Sequence, residues 1–382
     1  MRKAFYLGLA GLALFEVLSV YFIMPMPGSQ GIDSLDFAYF LHAHRWAFRS
    51  VFVLAIVAGG PAAFGARRKG IPVLCTLAVL AVAWLFNFKM TADRIFLQPA
   101  HLTLKPRGKS AVPENSVVIG IEGGGEAKAY PIRFLVYHHQ VPDTLGGRPV
   151  IVTYCSVCRT GRVFEPVVGG HPEKFRLVGM DHFNAMFEDA TTGSWWRQAT
   201  GEAVAGPLKG AMLPEIDAGQ VTLRDWFKLH PGSLVMQPDK ASKEEYDPAG
   251  GFERGLSKGE LTRTDAASWK DKSWVVGIQV GPHSKAYDWN RLKAQGIIND
   301  RIGDVPVVIA VAPDRGGFAA FERPDAEWTF RIDGGVLKAN GRSFDFSGRD
   351  LSEPTHRLKS VNGHQEFWHS WRTFHPETLR DS

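Results

Sequence analysis

The stretch PVIVTYCSVCRTGRVF, residues 149–164, is the part of the sequence from which the fold of the soluble region is predicted first. The β-prone run before Cys155 predicts a buried strand that ends at the first cysteine. Gly161 and the β-prone Val-Phe pair that closes the stretch predict a hairpin after Cys158. A helix that begins at the first cysteine, as in a thioredoxin site, is therefore not expected.

An ungapped internal repeat surrounds this stretch. When Val118 is aligned with Val275, residues of the same type recur at a constant offset: Gly120 with Gly277, Tyr130 with Tyr287, Val150 with Val307, and Glu165 with Glu322. This register predicts a tandem duplication, with copy one at 114–238 and copy two at 271–382. Residues 89–113 and 239–270 are predicted linkers.

Each copy alternates short strands with short helices. The predicted fold class is α+β: N-terminal transmembrane helices followed by two tandem, mostly antiparallel β-rich domains with short helices. The content of 25 Phe, 11 Trp and 8 Tyr excludes a disordered chain. Three cysteines in 382 residues exclude a disulfide-dense scaffold.

The first quarter of the chain contains three apolar stretches that are long enough to span a bilayer: residues 4–24, 47–66 and 71–88. No small-residue cleavage site follows the first stretch, so a retained three-helix membrane domain at 1–88 is predicted rather than a signal peptide. Gly59-Gly60-Pro61 should kink or break the second helix. Glu16, inside the first helix, is expected to face the other helices.

Basic residues in the short loops predict the orientation: Arg2, Lys3, Arg67, Arg68 and Lys69. By the positive-inside rule they lie on the cytoplasmic side, which places everything after the third helix outside. The predicted location is a bacterial inner membrane, with soluble domains that face the periplasm or the outside. These basic residues signal topology, so the expected partners are the lipid bilayer and other membrane or periplasmic proteins, and no nucleic acid.

The strongest candidate for chemistry is the pair Cys155 and Cys158. Two thiols at this spacing can form a redox disulfide or provide two of the ligands of a metal site. The third interpretation is that they are inert thiols packed in the core. Copy two has Ala312 and Arg315 at the corresponding positions, so the fold does not require the cysteines. In the redox interpretation Cys155 attacks and Cys158 resolves.

A metal interpretation needs further ligands and names a transition metal, copper or zinc, as the cofactor. His138, just before the cysteine strand, is the best third ligand, and His182 is a weaker one. A c-type haem would need histidine directly after Cys158, where Arg159 stands. The glycine-rich segment at 120–125 lacks the Gly-Lys-Ser/Thr of a phosphate loop, so no nucleotide is expected.

A second cluster of functional residue types lies at 189–208. Trp196, Gln198 and Glu202 combine an aromatic ring, an amide and a carboxylate within a short span. Together with Tyr154 they are predicted to line a pocket beside the cysteines. The alternative interpretation is a tight turn with buried tryptophans.

Three segments together resemble a family of bacterial extracytoplasmic proteins known as domain of unknown function 3179. They are AYPIR at 129–133, VTYCSVCRT at 152–160 and SWWRQATGEAVAGPL at 194–208. The resemblance covers 114–238 well and copy two weakly, and the membrane helices fall outside it. The chain departs from the expected pattern at Arg159, where glycine is expected, at Pro142, and at His139. The resemblance implies the domain and supplies no reaction.

The sequence therefore predicts a membrane-anchored extracytoplasmic protein. Its CxxC site would serve thiol–disulfide exchange or the handling of a soft, copper-like metal. The alternative is a non-catalytic binding or scaffold module of a membrane complex.

Overall fold

The computed structural model describes residues 1–65, 69–246, 265 and 267–381. These residues form two units. The first contains Met1–Leu97, Lys174–Arg197 and Glu202–Ala211, and the second contains Gln98–Glu173, Gln198–Gly201 and Met212–Ser382. Arg67 and Arg68 of the predicted basic cluster, and much of the predicted linker at 239–270, lie outside the described residues.

The elements are numbered along the described chain. The α-helices are α1 (Arg2–Tyr21), α2 (Leu35–Ala43), α3 (Arg45–Phe64), α4 (Gly70–Phe88), α5 (Ala92–Ile95), α6 (Ile132–His138), α7 (Leu223–Leu229), α8 (Trp289–Gln295) and α9 (Trp368–Phe374). The strands before residue 240 are β1 (Leu104–Pro106), β2 (Val117–Gly123), β3 (Glu126–Pro131), β4 (Gln140–Leu145), β5 (Arg148–Cys155), β6 (Thr160–Phe164), β7 (Val167–Val168), β8 (His171–Pro172), β9 (Phe175–Asp181), β10 (Asn184–Asp189), β11 (Trp195–Arg197), β12 (Ala203–Ala205), β13 (Gly219–Thr222) and β14 (Leu234–Met236). The later strands are β15 (Trp274–Val280), β16 (His283–Asp288), β17 (Ile297–Ile302), β18 (Val305–Val311), β19 (Phe318–Glu322), β20 (Arg331–Asp333), β21 (Val336–Ala339), β22 (Arg342–Phe344), β23 (Gly363–Phe367) and β24 (Leu379–Arg380).

Three helices of the first unit, α1, α3 and α4, are long and apolar enough to cross a membrane, which confirms that the three predicted stretches are helices of spanning length. The second span was predicted to kink or break at Gly59-Gly60-Pro61; it does not break there, because α3 continues through Pro61 to Phe64. A Cβ on Gly59 would lie 2.4 Å from the backbone nitrogen of Phe5. The glycine therefore allows α1 and α3 to approach closely, as small residues do between membrane helices.

Glu16 faces the other two helices, as expected. Arg49 of α3 donates to both carboxylate oxygens of Glu16, each at 2.8 Å. Asn87 of α4 joins the pair, accepting from Arg49 at 2.6 Å and donating to Glu16 at 2.8 Å. Each of these three polar side chains forms hydrogen bonds with the other two. These bonds offset much of the cost of placing charge among apolar helices.

The first unit also contains an antiparallel sheet in the order β12-β11-β10-β9. Its core includes Val178, Met186 and Trp195 from the strands, with Ile23 and Ala38 from the segment between the first two long helices. The short helix α2 lies in that segment. Strands from the middle of the chain therefore fold with the N-terminal helices.

The second unit contains copy two and the parts of copy one outside Lys174–Arg197 and Glu202–Ala211, and the elements of the two copies within it correspond. Copy one has the sheet order β13-β2-β3-β14 with β1 added, and copy two has β23-β15-β16-β24. In each copy the last of these strands pairs in parallel with its neighbour. A short helix and an antiparallel three-stranded sheet follow, β4-β5-β6 in copy one and β17-β18-β19 in copy two. The architecture confirms the α+β class.

The repeated residues explain the shared geometry. Tyr130 pairs with Ile119 across the first hairpin, and Tyr287 pairs with Val276 across its equivalent. A Cβ on Gly120 would lie 2.4 Å from the ring of Trp226, and one on Gly277 would lie 2.1 Å from Trp371. In both copies glycine is required because a helix-borne tryptophan packs directly on the strand.

Candidate functional site

The two cysteines lie in the tight turn of a hairpin, as the sequence predicted. Strand β5 ends at Cys155, which pairs with Thr160 at the start of β6. The residue after the second cysteine, Arg159, has φ of 56°. This left-handed conformation closes the turn and favours glycine. The left-handed conformation accounts for the glycine that the family resemblance leads us to expect at position 159.

Neither cysteine forms a disulfide with another described residue, and both are fully buried. The backbone N–H of Cys158 points at the sulfur of Cys155, with an N···Sγ distance of 3.4 Å. Burial raises the pKa of the Cys158 thiol well above its usual range, and the contacts with Cys155 and the charge of Glu366 act in the same direction. The contacts of the two thiols therefore differ: the Cys155 sulfur accepts the backbone N–H of Cys158, while the pKa of the Cys158 thiol is raised.

Copy two packs directly against the cysteine turn. The backbone N–H of Phe367, the last residue of β23, donates to the carbonyl of Cys158 at 3.0 Å. Ser370, on α9, acts on the Cys158 thiol and lowers its pKa, in opposition to the larger effect of burial. The copy without cysteines thus supplies part of the cysteine environment.

A buried arginine connects the hairpin to two carboxyl groups. Arg162 of β6 contacts Glu366 and Glu215, each at 3.3 Å. Burial raises the pKa of Glu366, and Arg162 offsets only part of that effect. His364 lies 3.4 Å from Glu215, but burial and Arg162 hold its pKa well below the usual value. This contact is therefore a polar contact of a neutral imidazole rather than an ion pair.

Arg159 packs its guanidinium against two aromatic rings of copy two. Its Cζ lies 5.0 Å from the ring centroid of Trp274 and 5.7 Å from that of Phe367. The side chain is only 3% exposed, so these cation–π contacts are formed away from water. They hold the cysteine turn against copy two.

The predicted pocket residues are divided between the two units. Gln198 belongs to the second unit and donates to Thr153 Oγ1 at 3.1 Å and to the Thr160 carbonyl at 3.2 Å, so it braces the hairpin. Tyr154 is buried in β5. Trp196 and Glu202 belong to the first unit. The pocket that combines all four stays a prediction.

Those two residues have partners within the first unit. Trp196 donates to Asp189 at 2.9 Å, and Glu202 lies 3.5 Å from Arg197.

The predicted metal ligands have other contacts. His138 Nε2 lies 2.6 Å from the hydroxyl of Tyr246. His182 Nδ1 lies 2.6 Å from Asp181, whose hydrogen bond raises the pKa of the imidazole despite partial burial. Among the described residues, no three His, Cys, Asp or Glu side chains are grouped so that they could hold a metal ion. The metal prediction therefore rests on the two thiols.

A cavity of about 340 Å³ lies between the copies in the second unit. Copy one contributes Asp217, Trp226 and His230 to its lining, and copy two contributes Phe321 and Arg357. Its polar and aromatic lining is typical of small-molecule sites. The sequence did not reveal this cavity, because its walls come from segments about a hundred residues apart.

Sequence reasoning also missed Glu366 and Ser370. They lie more than two hundred residues from the cysteines in the chain, in the copy that lacks cysteines. The only available signal was the polar run His364-Gln365-Glu366, which occupies a strand position where copy one has Gly219-Gln220-Val221. Both are buried, and a buried carboxyl group with a shifted pKa, such as that of Glu366, is a candidate functional group.

Comparison with known proteins places the chain in a family. No curated protein matches it. Among solved structures, the terminal oxygenase of carbazole 1,9a-dioxygenase from Nocardioides aromaticivorans IC177 is similar at 10% identity, over 69% of this chain and 79% of that one, with a TM-score of 0.17. That likeness is too weak to support any conclusion. The model of the family described as "Protein of unknown function (DUF3179)" matches residues 100–378, across both copies of the repeat, and the chain belongs to that family.

Proposed function

We propose that the protein is a membrane-anchored thiol–disulfide exchange protein whose working pair is Cys155 and Cys158. The observation that carries the proposal is the asymmetry of the pair. The Cys158 N–H donates to the Cys155 sulfur, while burial raises the pKa of Cys158. Disulfide exchange needs a nucleophilic thiolate beside a second thiol that keeps its proton.

The exchange would proceed in two displacements. The Cys155 thiolate attacks one sulfur of a partner disulfide, forms a mixed disulfide and releases the other partner sulfur as a thiolate. Cys158 gives its proton to that thiolate and attacks the Cys155 sulfur, which closes the intramolecular disulfide and releases the second partner sulfur. Two electrons pass from the pair to the partner.

Burial restricts the partner. Both cysteines have no exposed surface, so a bulky protein disulfide cannot reach them in this conformation. A small disulfide, or a partner that opens the turn at Arg159, satisfies this restriction. Membrane or periplasmic proteins that present an extended disulfide loop are the proposed macromolecular partners.

The location is part of the proposal. Arg2, Lys3 and the basic residues between the second and third spans favour a cytoplasmic location for those ends. The second unit would then face the periplasm of a bacterial inner membrane, an oxidising compartment in which cysteine pairs form disulfides.

Soft-metal handling is the second candidate, and the scaffold is the third. Metal binding by two thiols requires both to lose their protons, which the raised pKa of Cys158 opposes. A scaffold needs neither chemistry, and the complete burial of the pair favours it.

A redox titration separates the three candidates. The full chain carrying Cys75→Ser is equilibrated with graded ratios of reduced and oxidised glutathione, alkylated and weighed by mass spectrometry. Exchange predicts one two-electron transition that disappears in Cys155→Ser. Thiols that stay reduced at every glutathione ratio would contradict the exchange function. A disulfide that is not reduced at any ratio would contradict it as well. Stoichiometric metal without a redox transition favours the second candidate.

A further inference from the structure

A cavity of about 190 Å³ in the first unit is lined by cations without a lining carboxylate. Its charged or ionisable lining residues are His42, Arg45, Arg49 and Arg176, and the remaining walls are apolar or neutral. This volume is several times the roughly 30 Å³ that one water molecule occupies in the liquid. Such a lining fits an anion.

The carboxylates that balance these cations are not lining residues. Arg49 is held by Glu16. Arg176 is held by Glu188 at 2.7 Å and by Asp93 at 3.2 Å. Burial would raise the pKa of Glu188, but the His42 hydrogen bond and Arg176 hold it at about 2, so this carboxylate is ionised.

Arg45 lacks such a partner. Its contact is a hydrogen bond from Nη1 to the carbonyl of His42 at 2.7 Å, and no carboxylate in the described part of the chain forms an ion pair with it. Arg45 and Arg49 are one helical turn apart on α3, and like charges at this spacing repel each other. An anion between them would satisfy the remaining guanidinium donors and remove the repulsion.

The cavity lies at the ends of the membrane helices. Arg45 is the first residue of α3, and Asn87, which also lines the cavity, is one residue from the end of α4. Trp46 is 68% exposed and Trp84 is 54% exposed at these same helix ends. Exposed tryptophans mark the level at which a membrane helix meets the lipid headgroups.

We infer that this cavity binds the phosphate of an anionic phospholipid headgroup, with Arg45 as the main contact. Arginine matches phosphate geometry with two parallel hydrogen bonds, and basic pockets between membrane helices bind anionic headgroups. Val20, Ile23 and Phe86 give the lining an apolar part that suits the start of an acyl chain. The site is independent of the cysteine pair.

Native mass spectrometry of the detergent-solubilised full chain tests the inference. Phosphatidylglycerol is compared with phosphatidylcholine and with inorganic phosphate. We expect one retained phosphatidylglycerol per chain, several-fold preferred over phosphatidylcholine, and no displacement by millimolar phosphate. Arg45→Gln should reduce the retention to the phosphatidylcholine level, and Arg45→Lys should retain an intermediate amount.

Arg94→Gln is the matched control, because Arg94 is exposed near the same helix end but does not line the cavity. It should bind like the unmodified chain. Equal retention by Arg45→Gln and Arg94→Gln overturns the inference. Binding of inorganic phosphate without any preference for phosphatidylglycerol overturns the lipid assignment. Arg45→Lys keeps the inference testable if Arg45→Gln does not fold.

Discussion

The backbone N–H of Phe367 donates to the carbonyl of Cys158 across 3.0 Å, and this bond joins the two copies of the repeat at the cysteine turn. Copy one carries the thiols, and copy two carries the aromatic, acidic and hydroxyl groups that surround them. Both copies therefore build the environment of the thiols.

The first prediction concerns Arg159. Arg159→Gly relieves the left-handed backbone, a gain of about 1 kcal/mol. It removes two buried cation–π contacts, worth about 2 kcal/mol or more together. We expect a net decrease of about 1 kcal/mol in the unfolding free energy, measured by urea denaturation.

The double variant with Trp274→Leu supplies the control. Without the Trp274 ring, Arg159→Gly should cost less than it does alone. A single Arg159→Gly variant that is more stable than the unmodified chain would show that the aromatic contacts contribute little.

The second prediction concerns the repeated glycines. Gly120→Ala and Gly277→Ala each place a Cβ within 2.4 Å of a tryptophan ring, and each should lower the unfolding free energy by about 1–3 kcal/mol. Gly219→Ala is the matched control, because Gly219 pairs with Gly120 but has open space at its Cβ. If all three variants are equally stable, the tryptophan packing does not define the repeat.

The third prediction concerns pH. Burial lowers the pKa of His139 from 6.5 to about 4. The unfolded chain therefore binds the proton more readily between these values, and this residue makes stability rise as pH increases from about 4 to 6.5. The contribution is about 3 kcal/mol at 1.36 kcal/mol per pKa unit.

His139→Asn isolates that contribution. Asparagine does not titrate and tolerates the left-handed conformation at this position, where φ is 58°. Unfolding free energies measured between pH 4 and 7 should rise less steeply in the variant. Parallel curves for the two proteins would show that His139 titrates normally. The comparison is needed because Glu366, with its raised pKa, makes stability fall as pH rises above its ordinary value.

The fourth prediction concerns topology. Alkaline phosphatase fused after the last residue should be active, because three spans place the second unit outside when the N-terminus is cytoplasmic. A cytoplasmic reporter at the same position should be silent. The reverse pattern of activity would invert the orientation.

Local features could be predicted from the sequence because they depend on neighbouring residues. The β5–β6 hairpin follows from a β-prone run and Gly161, and the three long helices follow from continuous apolar stretches. The equivalent elements of the two copies follow from one ungapped register. In these cases local propensity and the final fold agree.

Other features depend on contacts between distant segments. The continuation of α3 through Pro61 and its close approach to α1 at Gly59 are features that the helix sequence alone does not reveal. The sheet that contains Trp195 folds with the N-terminal helices, although its strands lie within copy one. Glu366 reaches Arg162 across 204 positions of the chain.

Trapping of the mixed disulfide tests the central claim most directly. In the Cys75→Ser background, Cys158→Ser leaves the attacking thiol without its resolving partner, so the chain should accumulate a covalent adduct with glutathione on Cys155. Cys155→Ser should accumulate much less, because the Cys158 thiol has a raised pKa and lacks the N–H contact that the Cys155 sulfur accepts. Peptide mass spectrometry after exposure to oxidised glutathione gives both yields. A large excess of adduct on Cys155 is the predicted result, and equal yields in the two variants, or no adduct in either, would contradict the proposed exchange function.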